Sequence, residues 1–381
     1  MDFDFTWLLW GLPLAFALGW GASRLDLRQW RMESRQAPRA YFRGLNHLLN
    51  EQQDQAIDAF IEAVQGDPDT AELHFALGNL FRRRGDYDRA VRVHEHLLSR
   101  ADIDRKDRDR AQHALALDFL KAGLLDRAES ALHKLKGTAF EGEALLALLG
   151  IYERSRDWPQ AKDIAQRLED ADQGSFSTRL AHYLCEESEL AQRSGNSAQA
   201  LRLLEQAVQG APQLARGWMA LSALKAQTGD VAGAYEALRR LNEHAPQSLP
   251  LAASTLAALA VQTGKQQEAS DLLQASQLRA PSIDTTEALA SLSGHPDAAR
   301  DCYLAHLNKE LSLVIATQWL QGETLSDPDA QIRIGQTLEQ ASTPLRRYRC
   351  AACGFEARLH FWQCPGCQTW DSFPARRVEE L

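Results

Sequence analysis

The pattern of apolar and polar positions changes character once, near the start of the chain. From Phe5 to Ser23 the sequence FTWLLWGLPLAFALGWGAS runs 19 residues without a charge. At about 1.5 Å per helical residue this reaches roughly the 30 Å of a bilayer's hydrocarbon core, so it predicts a single transmembrane helix. Trp7, Trp10, Trp20 and Trp30 fall near its ends, where amphipathic rings favour the interface, and Pro13 is tolerable within a span. Asp2 and Asp4 precede it with no Lys or Arg, unlike the basic lead of a cleaved secretory signal. Arg24, Arg28, Arg31, Arg35, Arg39 and Arg43 follow, which places the rest of the chain on the cytoplasmic side. Gly11, Ala15 and Gly19 recur every fourth residue. Such a face either docks a second membrane helix, a homodimer partner included, or reflects how common small residues are in membrane spans.

After this segment the apolar positions take helical spacing and repeat. The stretch AELHFALGNLFRRRGDYDRAVRVHEHLLS, Ala71 to Ser99, carries Leu77-Gly78, Phe81, Gly85, Tyr87 and Ala90 in the order of a tetratricopeptide repeat, which it resembles closely. Small residues (Gly78, Ala90) sit at the closest approach of two antiparallel helices and larger ones fill the gaps. Counterparts of Ala90 follow at Ala56, Ala128, Ala161, Ala200, Ala234 and Ala269, with successive spacings of 34, 38, 33, 39, 34 and 35 residues. Pro68, Pro212, Pro246 and Pro281 mark helix ends at matching phase. Seven units are therefore expected from about Ala40 to Pro281. The fourth, around Trp158-Pro159, and the fifth, where Glu187 and Ser188 replace the Leu-Gly pair, are degenerate. Thr285 to Ser293, Asp297 to Leu307 and Ala330 to Gln340 still read as helices, which would cap the solenoid.

The expected architecture is all-α with a small appendage. It comprises an anchor (1–23), a basic juxtamembrane segment (24–39), the repeat array (40–283), capping helices (284–344) and a four-cysteine domain (345–381). In the tetratricopeptide fold the first helix of each unit lines a concave groove that binds peptide or protein. On the second unit those groove positions fall at Asn79, Arg82 and Arg83, which suit carboxylates or backbone carbonyls, or else form a solvated helix face.

Charge and motifs narrow the function. A formal charge of -9 and a pI near 5.7 would repel a nucleic-acid backbone. No P-loop, dinucleotide glycine fingerprint, GxSxG elbow or HExxH helix occurs, so no enzyme activity is expected. His94-Glu95-His96 reads as a core residue and a surface residue, since His94 falls at the repeat's buried aromatic position. Of six cysteines, Cys185 and Cys302 read as buried small hydrophobes.

The other four carry the strongest chemical signal. Cys350-Ala-Ala-Cys353 and Cys364-Pro-Gly-Cys367 are two CxxC pairs ten residues apart, each able to form a knuckle that points both sulfurs at one tetrahedral ion. Tyr348-Arg-Cys350-Ala-Ala-Cys353-Gly354 and Trp362-Gln-Cys364-Pro365-Gly-Cys367 resemble the two metal loops of rubredoxin, which implies iron, with zinc as the alternative. The intervening segment is much shorter than in a free rubredoxin, and Gln368 stands where a second knuckle glycine would be expected. Phe355, Leu359, Phe361, Trp362 and Trp370 are the apolar cover, too little for an independent domain. The knuckle is therefore expected to pack on the array and to need its metal.

The order of anchor, YFRGLNHLLNEQQDQAIDAFIEAVQGDP, near-consensus second repeat and terminal knuckle resembles the lipopolysaccharide assembly protein B family of Gram-negative bacteria. The resemblance implies an inner-membrane adaptor that regulates lipopolysaccharide synthesis. Its implied partners are the membrane-bound AAA metalloprotease, the lipid A-committing deacetylase that the protease degrades, and other lipopolysaccharide assembly proteins. Alternatives are a rubredoxin-type redox protein on a repeat scaffold and a general repeat co-chaperone.

Overall fold

The computed structural model describes residues 15–17, 19–20, 39–66 and 70–381. The expected anchor lies outside the described residues except at 15–17 and 19–20, which are helical, with Phe16 and Trp20 exposed. Gly11 lies outside them too, while Ala15 and Gly19 are exposed. Among the described residues no helix is long and apolar enough to cross a membrane.

The other described residues form helices that pair within each of two units, and the second unit ends in a small ribbon. The pairs are α1 (39–49) with α2 (Gln53–Gly66), α3 (Ala71–Arg84) with α4 (Tyr87–Ser99), and α5 (Arg105–Lys121) with α6 (Leu125–His133). Helices α7 (Glu141–Ser155) and α8 (Trp158–Asp170) follow in sequence, and then come the pairs α9 (Ser177–Arg193) with α10 (Ser197–Gly210), α11 (Ala215–Gln227) with α12 (Val231–His244), and α13 (Leu249–Thr263) with α14 (Gln266–Arg279). The chain divides into two compact units, one ending at Ile151 and the other running from Tyr152 to Leu381, so the division falls inside α7.

One local rule generates every pair. All seven reference alanines lie on the second helix of their pair and are fully buried. Five residues before each comes a left-handed residue that ends the first helix: Gly85, Gly123, Gly195, Gly229 and Gly264 in five pairs, Glu51 and Arg156 in the other two. A left-handed C-terminal residue closes the last carbonyls and reverses the chain, and glycine adopts it without a Cβ penalty. After the turn, Asp157, Asn196 and Asp230 accept the N–H three residues on, starting α8, α10 and α12.

Within the first unit, Gly78 does more than permit close approach. A Cβ there would lie 2.5 Å from Nε2 of the fully buried His94. His94 Nδ1 bonds Asp118 on α5, whose other oxygen takes Arg82 Nη1 at 2.8 Å. His94 is thus the core residue the repeat position implied. Arg82, expected in the groove, is engaged by the fold through Asp118, the Ala114 carbonyl and the Asn79 side chain. Arg83 is exposed.

In the second unit a continuous core runs from Ala181 to Ala288. Ser188, at the expected glycine position of the fifth repeat, is fully buried and donates to the Ala200 carbonyl at 3.1 Å. Beyond Pro281 two further pairs follow, α15 (Ile283–Leu292) with α16 (Pro296–Leu307) and α17 (Leu313–Gln321) with α18 (Pro328–Ser342). The first keeps the left-handed glycine, Gly294, five residues ahead of Ala299, but Ala299 is only half-buried. It is a weakened eighth repeat. Helix α17 was not among the expected elements, although Ser312 caps it by accepting the Ile315 N–H.

Candidate metal centre

The last 37 residues form two knuckles. Strand β1 (Tyr348–Arg349) pairs antiparallel with β2 (Glu356–Ala357) around the first, and Gln363 bridges Trp370 around the second. In each, a backbone N–H four residues on reaches the first cysteine's carbonyl: Gly354 N to Cys350 O at 2.9 Å, Gln368 N to Cys364 O at 2.8 Å. Closing such a turn needs a left-handed residue after the second cysteine. Gly354 supplies it at φ 77°, and Gln368 adopts it at φ 62°, donating its side-chain amide to the Pro365 carbonyl. The missing glycine thus leaves the geometry intact.

The knuckles bring Cys350, Cys353, Cys364 and Cys367 together, all four sulfurs within 4.8 Å of one another. Cys350 and Cys367 lie 3.8 Å apart, and Cys353 and Cys364 3.7 Å. A tetrahedron with arms of about 2.3 Å, the ordinary zinc–thiolate length, has edges of about 3.8 Å, so the cluster fits one tetrahedral ion. Electrostatics agree. Against its burial, Cys350 is drawn down to about 6 by the Ser372 hydroxyl and the N–H groups of Cys353 and Ala352. Cys367 is lowered by the Thr369 hydroxyl and N–H. Cys353, despite the Phe355 N–H, is pushed up to about 12 by burial and the other three sulfurs. Thiolates this close resist accumulating charge together, and a divalent or trivalent cation removes the conflict.

The ribbon's own core is thin: Tyr348, Cys350, Cys364 and Phe373, with Leu251 of α13 packed against it. Two residues expected as cover are not: Phe355 and Leu359 are exposed. Trp362 and Trp370 face the array instead. Trp370 stacks on the buried His182 of α9 at 4.4 Å between centroids and donates Nε1 to Glu153 of α7 at 3.1 Å, and Trp362 packs against the array core. His182 Nε2 lies 3.0 Å from both carboxylate oxygens of Asp371. Burial lowers the pKa of His182, and Asp371 opposes the shift.

The tail fastens the other side. Arg377 forks onto Asp284 of α15 at 2.8 and 2.6 Å while stacking over Tyr348. Glu380 accepts the Ile283 N–H that opens α15, and Glu379 accepts the Leu313 N–H and the Ser312 hydroxyl that open α17. Two carboxylates thus cap two helix N-termini, where the orphan donors and the helix dipole favour negative charge. Of these seat residues, sequence reasoning had singled out only Trp362 and Trp370. His182 and Asp371 are 189 positions apart, and no spacing rule pairs them.

Known proteins fit this architecture. The rubredoxin metal binding domain model matches residues 348–374, and tetratricopeptide repeat models match 73–109 and 191–259. Lipopolysaccharide assembly protein B of Escherichia coli (strain K12) is 31% identical over 384 residues, covering 97% of this chain and 98% of the relative. The chain belongs to the lipopolysaccharide assembly protein B family. The family member of Haemophilus influenzae is 28% identical over 392 residues, covering 95% and 96%. Among solved structures, a tetratricopeptide repeat protein from Parabacteroides merdae aligns with a TM-score of 0.35 at 14% identity, covering 68% of this chain and 99% of that one. The match to the lipopolysaccharide assembly protein B family covers 97% of the chain, far more than the repeat and ribbon segments that the domain models pick out.

Proposed function

We propose that this chain is a non-enzymatic adaptor of lipopolysaccharide synthesis. Residues 5–23 anchor it in the bacterial inner membrane, the array and ribbon face the cytoplasm, and the array presents the lipid A-committing deacetylase to the membrane-bound AAA metalloprotease. Other lipopolysaccharide assembly proteins share the scaffold. The observation that carries this reading is the match along nearly the whole chain to relatives whose name states lipopolysaccharide assembly. Cys350, Cys353, Cys364 and Cys367 hold one ion, iron as the rubredoxin resemblance implies, with zinc the alternative. The ion acts as a clamp that keeps the ribbon folded on its seat. Asn79, Arg82 and Arg83 are the groove positions for a client in the first unit, with Asn79 and Arg82 bonded to each other and Arg83 exposed. Ala15 and Gly19, with Gly11, form the face for a second membrane helix.

Crosslinking in cells followed by capture of the full chain tests the adaptor role. Both the protease and the deacetylase are expected among the captured proteins, and deacetylase levels should rise when residues 1–30 are deleted. Capture of neither protein from intact membranes would reject the proposal. Metal analysis of the purified chain decides between iron and zinc, and full activity of a zinc-loaded form in cells excludes electron transfer.

A further inference from the structure

One cavity in the second unit is lined by basic and neutral groups alone, on a chain whose formal charge is -9. Its volume is about 240 Å³, and it opens where the end of α14 turns into α15, against the start of α13 and the ribbon's tail. Pro246, Pro250 and Ala375 line it beside the polar side chains of Gln247, Ser276, Ser282, Arg279 and Arg376. That volume lies below the roughly 300–1,000 Å³ of sites for drug-sized ligands, so it suits a small ion or a headgroup.

Three of these groups, Arg279, Arg376 and Ser282, are left with unused capacity. Arg279 donates Nε to the Ala275 carbonyl and Nη2 to Asn242, both at 3.3 Å, and Arg376 donates Nη1 to the Glu380 carbonyl at 3.5 Å. Neither guanidinium meets a carboxylate within ion-pair distance among the described residues, although each has five N–H donors. Glu380 approaches Arg376, but its oxygens take the N–H groups of Ile283 and Arg377, and it does not line the cavity. Ser282 is 2% exposed. Its N–H reaches Gln277 and its carbonyl accepts from Thr286, yet its hydroxyl oxygen has no partner among the described residues. A buried hydroxyl without a partner calls for a missing ion or water, and two guanidinium forks match the oxygens of a tetrahedral oxyanion.

We propose that this cavity binds a phosphate-class oxyanion, through the guanidiniums of Arg279 and Arg376 and the Ser282 hydroxyl. The source is either free phosphate or the phosphate of an esterified headgroup. The site is independent of the adaptor reading, and its failure would leave that reading standing.

Calorimetric titration of the full chain, in detergent, with inorganic phosphate and separately with glycerol 3-phosphate tests it. Saturable binding is expected, weakened at least tenfold in the Arg279→Gln/Arg376→Gln double variant and several-fold in Ser282→Ala. Comparable affinities for the two probes identify free phosphate as the occupant, and a tenfold preference for glycerol 3-phosphate identifies a headgroup. Both results support the site. Absence of saturable binding of either probe to the wild-type chain overturns it, as does binding that the double variant leaves unchanged. Should the double variant fail to fold, Arg279→Gln alone, at an exposed position, decides the same question.

Discussion

At the scale of single residues, two positions test how far the repeat rule governs stability. Asp118 is fully buried and serves both Arg82 and His94, so replacing it leaves a partly buried guanidinium and a fully buried imidazole without their acceptor. Breaking one side of a buried ionic group costs about 3–5 kcal/mol, and Asp118→Ala should lower the stability of the first unit by about that amount in denaturant titrations. Gly78→Ala should also destabilise, by about 1–3 kcal/mol, because the His94 ring that a new Cβ would strike is pinned by Asp118. Substitutions can also act in the opposite direction. Arg156 and Gln368 hold left-handed backbone at φ 58° and 62°, where an L side chain costs about 1–2 kcal/mol relative to glycine. Arg156→Gly should therefore raise the melting temperature. Gln368→Gly should do so by less, since it also gives up the bond to the Pro365 carbonyl. A drop in either case would show that the side chain's own contacts outweigh backbone strain.

At the scale of elements, the repeats were legible because each is a local device. A small residue, a left-handed turn and a cap all lie within a few positions of one another, so periodicity in the sequence maps directly onto helix pairs. Helix α17 was missed for a physical reason. LVIATQWLQ is only nine residues long and opens on the continuous apolar run LVIA, and periodicity alone cannot tell so short an apolar run as helix or strand. Part of its N-terminal cap, Glu379, arrives from the far end of the chain. The tail predicts its own test: Glu379→Gln and Glu380→Gln should each destabilise the helix they cap by about 1 kcal/mol. Hydrogen exchange should quicken first at Leu313 and Val314 in one variant and at Ile283 in the other. Exchange that changes elsewhere and not at these amides would contradict the capping role.

At the scale of the whole molecule, the ribbon is the part whose folding the four-sulfur cluster should govern. With so small a core of its own, the ribbon should unfold when a strong chelator strips the ion, exposing Trp362 and Trp370 and shifting tryptophan emission to the red, while most helical signal survives. Unchanged emission after verified metal loss would mean the seat alone suffices. Acid should act as well. Burial lowers the pKa of His113, His182 and His306 below the ordinary 6.5, so the unfolded chain takes up more protons than the folded one as pH falls through 6.5. Their contribution is complete above that value and is lost towards the lowered folded values. A melting temperature that stays flat from pH 7.5 to 5.5 would refute it. The sequence by itself determined the helix pairs, the seven buried alanines and the four converging cysteines, because each depends on residues close together in the chain. Only the tertiary structure decided that Arg82 belongs to an internal network, that Gln368 can replace a glycine, and that His182 meets Asp371 while Glu379 and Glu380 cap helices some 65 and 97 residues away. Those pairings follow from where the solenoid brings distant surfaces together, which no local spacing encodes.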